Sequence, residues 1–143
     1  MGSVINTDST GKQRSQIMRT VAEILRRLSQ KQVVDDEVRN MTAMLVYLFR
    51  EIEAGIEQSA TAWEKRDYWV KSEELRQRWM WVGDMADQLR VMIYSEKWTL
   101  LPPIMLKLLP KVADIKITKM TRSESMWEGA YDRLMSEKPN SAN

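Results

Sequence analysis

Apolar residues in this chain recur at helical spacing over most of its length, and no segment sustains the two-residue alternation of a strand. Glycine is scarce, with five in 143 residues. The pattern predicts an all-α protein: a four- to five-helix bundle built on a long antiparallel helical hairpin. The length suits one domain, expected over residues 10–135, with polar tails 1–9 and 136–143 expected to be disordered.

The first helix is expected from near Thr10, where Thr10 and Gln13 have capping-box spacing. Ile17, Val21, Ile24, Leu25 and Leu28 share one face, and Lys12, Arg19 and Arg26 lie opposite. The second helix opens at Asp35-Asp36-Glu37, an acidic trio suited to the positive end of the helix dipole. Its stripe, Val38, Met41, Leu45, Leu48, Phe49, Ile52 and Ile56, extends to Trp63 and is nearly a heptad seam. Gly55 interrupts it, either weakening the helix or admitting a close neighbour.

The third helix is expected from about Tyr68 to about Lys97. It joins the second tightly near Arg66 to Tyr68, unless the two are continuous. Eleven of its sixteen residues from Trp79 to Tyr94 are apolar or aromatic, which suits a bundle centre or an oligomer interface. Pro102-Pro103 then starts a short helix over 104–109, which Pro110 ends or restarts. Asp114 to Met120 has no readable pattern. A last helix, capped by Thr121 with Glu124 three residues on, carries Met126, Trp127, Ala130, Tyr131 and Leu134.

Composition removes several chemistries. Without cysteine there is no disulfide, thiolate metal site or thiol nucleophile. Without histidine the commonest general base and transition-metal ligand are gone, and with them Ser-His-Asp triads and Glu-x-x-His di-iron sites. There is no Walker A loop, G-x-G-x-x-G or G-x-S-x-G. No apolar run reaches 18 residues, and a cytoplasmic location without a cofactor is expected. Met1-Gly2 would suit myristoylation, but Asn6 stands where Ser or Thr is needed.

Charge is uneven although the net is only +2. Residues 1–34 hold six basic and two acidic side chains, and residues 35–60 hold two basic and six acidic. The basic residues Lys12, Arg14, Arg19, Arg26 and Arg27 offer a nucleic-acid-binding alternative. The competing expectation is that this face docks on the acidic second helix.

Six tryptophans and eleven methionines accompany a single phenylalanine. Both types favour partner surfaces, Met by adapting and Trp by anchoring. Trp79, Trp81, Met85, Met92, Leu101 and Met105 are the candidate partner-binding residues. Trp79 and Trp81 project roughly 200° apart on a helix, so one is expected to reach a second neighbour. The function expected is a non-enzymatic interaction module, regulatory or for assembly, docking a protein partner or its own copy.

One enzymatic pattern remains. Glu64-x-x-Asp67 and Asp84-x-x-Asp87 form two acidic i, i+3 pairs that together would suit Mg²⁺. The layout resembles that of the all-helical nucleotide pyrophosphatases of the MazG type, with Asp84 standing where that pattern has Glu. The resemblance implies Mg²⁺-dependent pyrophosphate release from nucleotides, with those four carboxylates as ligands.

Overall fold

The computed structural model describes residues 7–140. Five α-helices run in the order α1 (Thr7–Ser29), α2 (Asp36–Glu64), α3 (Trp69–Tyr94), α4 (Leu101–Val112) and α5 (Ala130–Ser136). Single 3₁₀ turns, Trp98–Leu100 and Glu124–Met126, precede α4 and α5, and no strand occurs among the described residues. The architecture is an all-α bundle on a long α2–α3 hairpin.

Asp35 caps α2 by accepting from Val38 N at 2.9 Å. Lys31 ties the preceding loop to the same end, 2.6 Å from Asp35 and 3.1 Å from Glu37. The buried stripe of α2 contains every apolar residue expected from Val38 to Ile56. It is also wider, because Ala43, Val46 and Ala60 are buried as well. The reason is position. The centre of the bundle is α2, packed against α1, α3 and α5. Helix α3, expected to be the centre because residues 79–94 are so apolar, is peripheral and exposes Trp69, Val70, Met80 and Val91.

The α2–α3 turn needs neither glycine nor proline. Tyr68 N reaches back to Trp63 O at 2.9 Å, the reverse closure of a helix C-terminus, and Asp67 takes the left-handed position at φ 63°. Glu96 does the same after α3 at φ 58°, with Lys97 N bonded to Met92 O at 3.0 Å. Across the hairpin, Arg76 of α3 holds Glu57 of α2 at 2.7 Å and also bonds Glu64.

Three boundaries differ from those read in the sequence. Helix α1 begins by Thr7, and Thr10 is a buried residue inside it rather than its cap. Helix α4 runs through Pro110 to Val112. Near a helix end that proline costs only one internal bond, and Pro102 and Pro103 sit in the first turn, where no N–H is required. The last helix is shorter than expected. Thr121 does not cap it, because Glu23 takes its hydroxyl and its N–H. The chain instead turns at Gly129, whose φ of +76° lies in the left-handed region.

Residues 136–138 make contacts with the bundle or with α5 itself. Tyr47 donates to Glu137, and Lys138 donates to Tyr94 O at 2.9 Å. The expected tails at 1–6 and 141–143 lie outside the described residues.

The segment 114–123 has no regular structure, yet it is anchored along α1. Arg19 donates to Lys119 O at 2.8 Å, and Arg26 donates to Ile117 O at 2.7 Å. Thr20 to Leu25 are consequently buried without interruption, since α1 is covered on every side there. Among them Glu23 is wholly buried. One of its oxygens accepts from Thr121 N at 2.7 Å and Arg122 N at 2.9 Å. The other accepts from Arg19 Nε at 2.8 Å and Thr121 Oγ1 at 2.7 Å.

Candidate functional site

A helix that packs on one side should be polar on the other. Helix α4 breaks this rule. Leu101, Ile104, Leu108 and Val112, three or four residues apart, point into the core. The opposite side carries Leu100, Pro102, Pro103, Leu106, Leu109 and Pro110, all exposed, with Leu106 at 68%. Only Lys107 and Lys111 carry charge on this helix.

Between α4 and α3 lies an open groove of about 440 Å³. Val91, Met92, Leu100, Pro103 and Ile104 make its apolar walls. Asp87 and Lys107 stand on it with opposite charge, and Lys107 Nζ is 3.4 Å from Gln88 Oε1. A smaller hollow of about 280 Å³ on the other flank of α4 is bounded by Val33, Val34, Pro102 and Met105. A second apolar exposure lies at the hairpin tip, where Tyr68, Trp69 and Val70 face solvent.

The six residues expected at a partner surface divide. Met85, Met92 and Leu101 belong to the core, at 8% exposure or less, although Met92 also lines the α3–α4 groove and Leu101 the smaller hollow. Met105 is half-buried beside the smaller hollow. Trp79 and Trp81 are half-buried as well. Their rings do not part as the helical angle suggests. They stack with centroids 6.0 Å apart, because long side chains close the angular gap. Each still reaches a different neighbour. Arg14 of α1 lies 5.2 Å over Trp79, while Trp81 meets Phe49 of α2 edge-on and Lys111 of α4 at 5.1 Å. Residues that α4 does offer to solvent, Leu106 and Leu109, were not among the six. Their signal was present in the sequence: twelve residues with apolar side chains on every face.

The basic set on α1 is largely spent within the molecule. Arg19 and Arg26 hold the carbonyls of the 114–123 segment. Arg27 is 3.5 Å from Glu37 and lies 5.4 Å over the buried Trp127. Docking on the acidic end of α2 therefore involves Arg27 alone among the five. Lys12 is exposed, and Arg14 is half-buried.

The four carboxylates do not assemble. Glu64 bonds Arg76, and Asp87 bonds Arg50 and Arg90. Asp67 sits at the hairpin tip and Asp84 is exposed in the middle of α3. Among the described residues no group of three acidic side chains is arranged to hold a metal ion. No described helix is long and apolar enough to cross a membrane.

Glu23 was the polar residue that periodicity missed. Its environment lowers the carboxyl to about 2. Burial acts in the opposite direction, but it is outweighed by hydrogen bonds from the Arg122 backbone, the Arg19 side chain and Thr121. A carboxylate so fully used is a structural anchor rather than a reactive group. Compared with protein-family models, with curated proteins and with solved structures, the chain matches none.

Proposed function

We propose that this protein is a non-enzymatic interaction module, regulatory or for assembly, that docks the outer face of α4 and the adjoining α3 groove onto protein. The observation that carries this reading is the unpartnered apolar side of α4, with Leu100, Leu106, Leu109 and the neighbouring Val91 all exposed. Fully covering an exposed leucine side chain contributes about 1.5–3 kcal/mol, and these three, of which Leu106 is the most exposed, would form the apolar centre of a contact. The favoured occupant is a second copy. Asp87, bonded to Arg50 and Arg90 but still 56% exposed, can accept a further donor, and Lys107 supplies one, which suits an isologous two-fold contact pairing the two across the axis.

Light scattering coupled to size-exclusion chromatography tests it. The expected result is a dimer mass for the native chain and a monomer for Leu106→Glu, with its helical circular-dichroism spectrum unchanged. A native chain that stays monomeric at its highest soluble concentration overturns self-association. So does a Leu106→Glu variant that remains dimeric.

A further inference from the structure

A turn between two helices normally closes with polar residues, glycine or proline. The α2–α3 turn does not. Tyr68, Trp69 and Val70 follow one another at its tip, and all three are exposed. Val70, at 72%, is the most exposed large apolar side chain among the described residues, and Trp69 is at 61%. Trp63 is half-buried behind them and meets Tyr68 edge-on, with ring centroids 5.6 Å apart.

Cations surround this cluster. Lys71 Nζ lies 4.7 Å over the Trp63 ring and 5.4 Å over that of Tyr68, and the Arg66 guanidinium lies 5.9 Å over Trp63. Lys65 is exposed beside them. None of the three forms an ion pair among the described residues. Two nearby carboxylates are already engaged, since Glu64 bonds Arg76 and Glu73 accepts from Gln77, one turn further from the tip. Asp67 in the turn and Glu74 one turn up α3 are exposed. Residues 65–71 thus carry three positive charges and one negative. No side chain caps α3 and its first turn holds no acidic residue, so the positive end of its dipole adds to that excess.

Geometry separates the partners that this chemistry fits. Consecutive helical residues point about 100° apart, so Trp69, Val70 and Lys71 ring the end of α3 instead of lining one side of it. A partner helix or a nucleic-acid strand lies along one face and would reach only part of the ring. A flat surface met end-on reaches all of it. Val70 also has no ring on which a base could stack. The boundary of a lipid layer suits the whole set, because tryptophan and tyrosine concentrate there and lysine and arginine heads pair with anionic lipid.

We infer that the α2–α3 turn is a docking point for an anionic phospholipid surface, with Trp69 and Val70 entering the interface and Lys65, Arg66 and Lys71 meeting the headgroups. Val91 of the α4 groove lies much further along α3, about 33 Å from Trp69 by helical rise, so this contact does not depend on the α4 face.

The test is sedimentation of the native chain with vesicles of phosphatidylcholine and phosphatidylserine in equal parts, and with vesicles of phosphatidylcholine alone. Binding is expected to the mixed vesicles and to be weaker on phosphatidylcholine. Trp69→Ala should weaken it by at least about tenfold. The double variant Lys65→Gln, Arg66→Gln should weaken it by roughly thirtyfold on the mixed vesicles, as two lost headgroup contacts require. All these side chains are exposed, so both variants should keep the native circular-dichroism spectrum. Brominated acyl chains should quench the fluorescence of the native chain more strongly than that of Trp69→Ala. No sedimentation with the mixed vesicles overturns the inference, as does equal binding to the two vesicle types or a Trp69→Ala protein that binds as tightly as the native chain. Tighter binding to single-stranded oligothymidylate than to vesicles, lost in Trp69→Ala, would assign the tip to nucleic acid and overturn it as well.

Discussion

Replacing Glu23 by glutamine removes a charge from the most enclosed ionic group in the molecule. Its four donors come from three residues: Arg19 on α1, and Thr121 and Arg122 on the anchored segment. An amide at this position keeps one acceptor oxygen and turns two hydrogens toward former donors. The Thr121 hydroxyl can rotate to accept, but the Arg19 Nε–H and the backbone N–H groups cannot. One charge-assisted bond lost and one buried donor left unpaired cost about 3 kcal/mol.

Proton linkage gives an independent figure. The carboxyl falls from its usual 4.5 to about 2 on folding. At about 1.36 kcal/mol for each tenfold change in proton affinity, that is on the order of 3 kcal/mol. The folded value lies below the unfolded one. The stabilisation is therefore complete above about pH 5.5 and is lost as pH falls through 4.5 toward 2, with roughly 1 kcal/mol left at pH 3. Urea denaturation of the native chain and Glu23→Gln at pH 7, 5, 4 and 3 reads both numbers. The gap between the two proteins should be about 3 kcal/mol at pH 7 and narrow to about 1 kcal/mol at pH 3. A gap that stays constant across this range, or is below about 0.5 kcal/mol at pH 7, would refute the role assigned to Glu23.

Other outcomes follow from burial and backbone geometry. Trp127→Ala should cost about 3–5 kcal/mol in urea denaturation, because the ring is 2% exposed, whereas Trp69→Ala at the hairpin tip should leave stability unchanged. Gly129→Ala should destabilise by about 1–2 kcal/mol, since alanine resists the left-handed conformation. Gly55→Ala should instead stabilise by up to about 1 kcal/mol, because its new methyl would meet only Thr10 Cγ2, at an ordinary 3.5 Å. A loss of stability in Gly55→Ala would show that α1 and α2 are closer than the structure places them. Tyr94→Phe, which frees Leu134 O from a 2.9 Å bond, should cost about 1 kcal/mol, measured as a lower melting temperature.

Local chemistry made some elements readable. Asp35 and the stripe behind it set the start and inner face of α2, because a cap and a one-sided core both leave residue-level marks. The same marks misled where tertiary contacts compete. Thr10 with Gln13 and Thr121 with Glu124 both have capping-box spacing, but one threonine is packed inside a helix and the other is claimed by Glu23. Turn positions filled by Asp67 and Glu96 were unmarked, since neither is a glycine. The long, adaptable Trp79 and Trp81 defeated a purely angular argument. At the site level, the apolar character of residues 100–112 was visible, but which leucines are left uncovered depends on α3 and α1.

The strap across α1 also sets a schedule. Thr121 follows Glu23 by 98 positions, so the first helix leaves the ribosome long before the residues that satisfy its central carboxylate exist. At about 5–20 residues per second, that interval is on the order of 5–20 s. During it α1 can pair with α2 and α3, but the side facing Lys116 to Arg122 stays wet and ionised. The burial of α1 is therefore completed only once residues 114–123 have been made, and a chain stalled before Thr121 would present a nearly finished hairpin with an open, water-filled flank.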